Sequence, residues 1–352
     1  MHPRGFEPAR IERPGGSLLS RERHHFNGRP TDSLWLNAVS YSPWTDGLET
    51  QTQAYATNGS SLLRQEARVW EQGDAITGWG GWPPGQEPDR NPRVRESTVT
   101  LADISPNKVS KTTYLYDKYN NKTEVQEYGY GSGAAGPLLR KTLTTYKTAG
   151  YDSNFDIHLR SLPVQESIYT AAGVLASATQ FEYDASPLAS RAGISEHDPA
   201  YGSGLTTRGN VTRIARWLNT STNAACLFPL SGGCVNEYRE YDVAGNVTRI
   251  VDARSNSAQF FYDDHFGGPN GEVRSNSAPA ELGGEYSYAF ASRWANAAGH
   301  LTYTQRDYYL GVAVDHHRPG HEEEKAALRR NLTGCGFDGQ SWIGAFRLHY
   351  AV

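Results

Sequence analysis

Six groups of residues have types and spacings that chemistry can use. His316, His317 and His321 stand beside Glu322, Glu323 and Glu324. His317 and His321 are spaced i, i+4, which sets two ligands on one helix face, but Pro319-Gly320 between them breaks that helix. A solvated tail is the plainer reading, and His24-His25 is read the same way. Asp152-Ser-Asn154-Phe-Asp156 begins like a calcium loop. The sixth position is Ile157 where the loop needs Gly, and the twelfth is Pro163 where it needs Glu, so an Asx-rich turn is expected. Cys226 and Cys234 bracket a Pro- and Gly-containing loop that a disulfide can close, which suits an extracellular protein. The alternative is two reduced, unrelated thiols, because bridging depends on geometry. Trp79 and Trp82 offer flat faces for glycan stacking, or pack over a sheet and anchor their Gly/Pro loop. His197-Asp198 has no identifiable catalytic partner. There is no zinc pattern, nucleophile elbow, phosphate loop or dinucleotide fingerprint. No catalytic residue, cofactor or metal ligand is therefore assigned, and the chain is expected not to be an enzyme.

The elements that would carry these residues are β-strands and turns. The 352 residues include 36 Gly and 21 Tyr, and only 20% are charged. Such a composition is unlike a helical bundle and favours strands with many turns. A net charge of −4 argues against a nucleic-acid binder. No run approaches the ~20 apolar residues of a membrane span.

The middle of the chain repeats. Tyr241-Asp242-Val-Ala-Gly245-Asn246-Val247-Thr248-Arg249-Ile250 runs on to a new Tyr262-Asp263. Gly-Asn-Val-Thr-Arg-Ile occurs at 209–214 and again at 245–250. Tyr116-Asp117 to Thr123 aligns without gaps, with Asn120 in place of the Gly. Tyr183-Asp184 starts a further copy, separated by a Pro/Gly-rich insertion from Gly209, Asn210 and Thr212. Tyr151-Asp152 is an isolated pair. Each unit reads as strand, turn, strand. The Asp carboxylate should bond backbone N–H groups two or three residues on, and Gly-Asn should supply a positive φ. The Asp recurs with the structural period, so it is read as a turn-former and not as a catalytic group. Hairpins of this kind bury little alone and must stack on neighbours.

Tyr-Asp-x-x-Gly-Asn-x-Thr with a second Tyr-Asp 21 residues later resembles the YD repeat of RHS-repeat proteins, insecticidal toxin-complex components and teneurins. The resemblance rests on 116–125, 183–184, 209–214 and 241–263, and in texture covers 31–315. It implies an all-β array of stacked hairpins forming an arc of a β-shell. It also implies an extracellular or cell-surface setting, with other YD-repeat segments or an enclosed toxin domain as partners. Two departures stand out. The Asp-Pro-x-Gly motif tied to self-cleavage is missing, since Asp198-Pro199 is followed by Ala-Tyr-Gly. Five Tyr-Asp pairs are also too few for a closed shell, so a fragment, a truncated product or one part of a larger assembly is expected.

The expected organisation is an Arg-rich atypical segment at 1–30, a repeat region at 31–315, and an atypical tail at 316–352 with a short helix around His321–Arg330. Residues 1–30 do not read as a secretory signal. The expected function is a non-catalytic segment of repeat wall; the alternative is a carbohydrate-binding or adhesin module.

Overall fold

Threonine, valine and tyrosine fill the runs between the Asp, Asn and Gly turns, and these residues suit a pleated, half-buried surface. The computed structural model describes residues 4–5, 10–12, 18–27, 43–73, 91–152, 157–218, 233–267 and 280–317. Regular structure among them is all β, apart from 3-10 turns at Pro43–Thr45, Pro199–Tyr201 and Ala280–Leu282. The chain divides into two units: Met1–Ala189 with Ala200–Asn256, and Ser190–Pro199 with Ser257–Val352.

The first unit contains β1 (Arg4–Gly5), β2 (Arg10–Glu12), β3 (Leu18–Phe26), β4 (Glu49–Tyr55), β5 (Leu62–Glu71), β6 (Arg93–Leu101) and β7 (Lys108–Tyr116). It continues with β8 (Lys122–Ser132), β9 (Leu138–Lys147), β10 (Leu162–Thr170), β11 (Leu175–Tyr183), β12 (Val211–Trp217), β13 (Cys234–Tyr241) and β14 (Val247–Val251). From β2 onward each strand pairs antiparallel with the next, and β1 joins β3 beside β2. It is a meander, and every odd-numbered strand from β3 to β13 ends at the same rim. The second unit holds β15 (Ser257–Phe261), β16 (Arg293–Ala295), β17 (Leu301–Arg306) and β18 (Ala313–His317), again antiparallel in sequence order.

Residues 18–26, inside the segment expected to be atypical, run in register with β4 (His24 opposite Thr52) and so extend the sheet. The expected tail helix, Trp79, Trp82, Cys226 and residues 153–156 lie outside the described residues.

Strands β5, β7, β8, β9 and β14 contain no buried residue. On β7, β8 and β9 alternate positions carry Thr, Gln, Lys and Glu across both faces, so cross-strand polar pairs, each worth about 0.2–1 kcal/mol, stand in for a core there. Glu49 is one such node. It takes His24 Nδ1 at 2.5 Å, Arg68 Nη1 at 2.6 Å and Thr52 Oγ1 at 2.7 Å. Burial would raise its pKa, but the His24 and Thr52 hydrogen bonds and the Arg68 charge hold it below the usual value. Among the described residues of the first unit, the buried tyrosines are Tyr151, Tyr183 and Tyr241. They lie at or beside the ends of odd-numbered strands, so the hydrophobic interior follows one rim as well as the faces of β11 and β12, where Ala178, Ile214 and Ala215 are buried.

Candidate functional site

The repeating unit closes on a carboxylate. After β13, Asp242 Oδ1 accepts the N–H of Ala244 at 3.1 Å and of Asn246 at 2.9 Å, and Oδ2 accepts Asn246 Nδ2 at 3.4 Å. Gly245 N–H returns to Asp242 O at 3.0 Å, and Gly245, at φ +86°, then turns the chain so that Asn246 O accepts Asp242 N–H at 3.0 Å. After β7, Asp117 accepts the N–H groups of Tyr119 and Asn121 and the Asn121 side-chain amide, each at 2.9 Å. Asn120 holds the Gly245 place at φ +71°, and Asn tolerates that region better than most residues. The carboxylate therefore reaches residues two and four on, where the sequence suggested two or three.

The same cradle spans the long insertion. Asp184 Oδ2 accepts Arg208 N–H at 2.9 Å and Gly209 N–H at 2.8 Å, and Oδ1 accepts Asn210 N–H at 2.9 Å. Gly209 stands at φ +78°. The excursion from 185 to 207 thus leaves and re-enters the sheet through one turn. Arg208 ties it down by donating to Leu205 O at 2.9 Å, Gly202 O at 2.8 Å, Tyr201 O, and Val243 O of the next turn at 2.6 Å.

Tyrosine has an equally regular duty. Tyr116 donates its hydroxyl to Val94 O at 2.7 Å, Tyr146 to Lys122 O at 3.0 Å, Tyr183 to Pro163 O at 2.7 Å and Tyr241 to Val211 O at 2.9 Å. Each sits at the end of an odd strand and satisfies a carbonyl at the start of the strand before it. Trp70 does the same for β5, its indole N–H reaching Glu49 O at 2.8 Å. At the opposite rim, Tyr55 and Tyr128 bond the side chains of Gln53 and Gln126 on their own strands instead. Burial pushes the Tyr183 phenol up to about 12, and Tyr151 upward too, by burial first and then by the Asp184 carboxylate. Both phenols are therefore neutral donors at neutral pH.

Threonine marks the register change. The ladder shifts by one residue at Leu115/Tyr116, Glu182/Tyr183 and Glu240/Tyr241. The extra residues opposite these steps are Thr123, Thr212 and Thr248, so each is the bulged residue. Thr212, buried, turns its hydroxyl back to Glu182 O at 3.2 Å and accepts Ala185 N–H at 3.2 Å. Thr50 repeats the first of these contacts with His25 O at 3.2 Å.

Other sequence candidates are placed differently. Asp263 does not cradle a turn like that of Asp242; its carboxylate takes Arg293 Nη2 at 2.9 Å, next to Tyr262. Asp252 accepts the N–H groups of Arg254 and Asn256 at 2.9 and 2.8 Å, with Ser255 at φ +65°. Asn296 accepts those of Ala298 and His300 at 3.0 Å each, with Gly299 at φ +79°. The Asn296 turn escaped a reading keyed on Tyr-Asp. Its signal is an Asx followed three residues on by Gly. Cys234 is disulfide-bonded at the start of β13, opposite Trp217; Cys226 lies outside the described residues.

In the second unit Asp264, His265, Phe266, Phe290, Ser292, Thr304 and Arg306 line a small, partly open pocket. The Asp264 carboxylate there is engaged by Ser287 N–H at 2.6 Å and Ser287 Oγ at 2.7 Å. Among the described residues, no group of three or more His, Cys, Asp or Glu is placed to hold a metal ion. No helix among them is long and apolar enough to cross a membrane.

No family model matches the chain, and no curated protein matches it. Among solved structures, the crystal structure of TcdB2-TccC3-Cdc42 is similar over 78% of this chain and 15% of that one, at 10% identity and a TM-score of 0.48. The structure of a Photorhabdus luminescens Tc holotoxin pore carrying a TccC3 mutation is similar over 86% of this chain and 20% of that one, at 12% identity and a TM-score of 0.18. The chain thus spans 15% and 20% of the length of the two solved chains.

Proposed function

We propose that this chain is a stretch of YD-repeat wall, a non-catalytic β-structure that serves a shell in an extracellular or cell-surface setting. The observation that carries the reading is the coincidence of the sequence period with one physical unit. Tyr ends a strand and satisfies its neighbour's carbonyl, Asp gathers the turn, and Gly or Asn supplies the positive φ. These parts recur around Asp117, Asp184 and Asp242. The nearly coreless strands β7 to β9 support it as well, because a single layer suits a wall better than a solid domain. The partners proposed are further YD-repeat segments and an enclosed toxin domain.

Protection of cargo tests this reading. The chain would be produced together with further YD-repeat segments and a toxin domain, then exposed to protease. A wall predicts that the toxin domain survives far longer than the same domain made alone. Digestion at the free-domain rate would sink the proposal.

A further inference from the structure

We infer that Tyr151-Asp152 is a coupling dipeptide that joins three successive connections of one rim into a single cooperative element. Asp152 reaches back along the sheet. Its Oδ2 accepts the Tyr119 hydroxyl and its Oδ1 accepts Arg160 Nε at 2.7 Å. The Arg160 guanidinium lies 5.0 Å from the Tyr119 ring centre, and Arg160 O accepts Asn121 Nδ2 at 2.7 Å. Tyr119 and Asn121 are the residues whose N–H groups fill the Asp117 carboxylate. Tyr151 reaches forward, its hydroxyl meeting Asp184 Oδ2 at 2.8 Å and its ring the edge of Tyr183 at 6.5 Å. The dipeptide is itself fixed. The N–H groups of both residues reach Thr148 O at 3.0 Å, and Leu159 N–H reaches Tyr151 O at 2.9 Å.

The forward link displaces a bond that the other turns keep. Asn121 and Asn246 each give a side-chain amide proton to their own turn's Asp. Asn210 does not. Its Nδ2 is buried without a partner, while the Asp184 Oδ2 is occupied by the Tyr151 hydroxyl and by two backbone N–H groups. An orphaned buried amide is costly, and the structure accepts that cost where the neighbouring connection supplies the donor instead. The chain of contacts from Asp117 through Asp152 and Tyr151 to Asp184 is therefore continuous and made of discrete hydrogen bonds. Coupling across it needs only that the dipeptide move as one piece.

Native-state hydrogen exchange on the full chain tests this. Tyr151→Phe removes only the forward hydroxyl. Exchange at Arg208, Gly209 and Asn210 should quicken about tenfold, and exchange at Tyr119 and Asn121, which Tyr151 does not touch, should quicken by a comparable factor. Acceleration confined to 208–210 would overturn the inference. Tyr119→Phe gives the reciprocal reading at 208–210 should the first variant not fold. In thermal melts the double variant should lose less than the sum of the two single losses, and additive losses would count against coupling.

Discussion

Asp242 and Asp263 each follow a tyrosine and have different physical roles, so they make a sharp comparison. Asp242 is fully buried and its carboxylate organises a whole turn. Asp242→Ala should cost about 2–4 kcal/mol in urea unfolding, because two backbone N–H groups lose their acceptor. Asp263→Ala removes one partly exposed ion pair and should cost under about 1 kcal/mol. Equal losses would refute the assignment of roles. Gly245 gives a second test. A side chain there meets nothing within 4 Å, so the penalty is backbone strain alone. Gly245→Val should lower stability by about 2 kcal/mol, while Gly245→Asn should stay within about 1 kcal/mol, since Asn120 already fills that place in the β7–β8 turn.

At the scale of the element, the unit is a bulged hairpin closed by a carboxylate, and its parts were unequally legible. The Tyr, Asp and Gly-Asn positions stood out because each serves its own hairpin and recurs with it. The role of Thr as the bulged residue did not, because register is a relation between strands and leaves no mark on one strand alone. Thr212→Val tests that role: shape is preserved, the Glu182 carbonyl loses its donor, and a loss of about 1–2 kcal/mol is expected in chemical denaturation. Tyr151-Asp152 was visible as a pair, but its partners Tyr119 and Asp184 lie 33 residues away on either side of it, counted from Asp152 and Tyr151 respectively. Sequence spacing carries no information about such links.

At the scale of the whole molecule, the paired charges set an acid limit. The Tyr119 hydroxyl and then Arg160 hold Asp152 below its ordinary value of 3.8, and the Asn256 side chain and nearby N–H groups do the same for Asp252. A folded pKa below the unfolded one means that this stabilisation is complete above about pH 4 and is lost as pH falls through the folded values. Melting temperature should accordingly lose the contribution of these two groups only below about pH 4, and Asp152→Asn should blunt that fall. An unchanged acid profile in the variant would contradict it. The fold class itself was legible from composition, since a Gly- and Tyr-rich chain of short alternating runs has few ways to be other than β. Participation of residues 18–26 in the sheet was not legible, because Arg21, Arg23, His24 and His25 hide a strand whose two faces are both polar.

The tyrosines described above that satisfy a carbonyl of the preceding strand sit on β7, β9, β11 and β13, and this imposes parity on the array. Removing or adding one strand reverses the direction of every strand after it, and so carries each later tyrosine and its Asp turn to the opposite rim. Two strands at a time leave both where they were. Length variation in such a chain should therefore come in even steps, with hairpins as the unit of gain and loss.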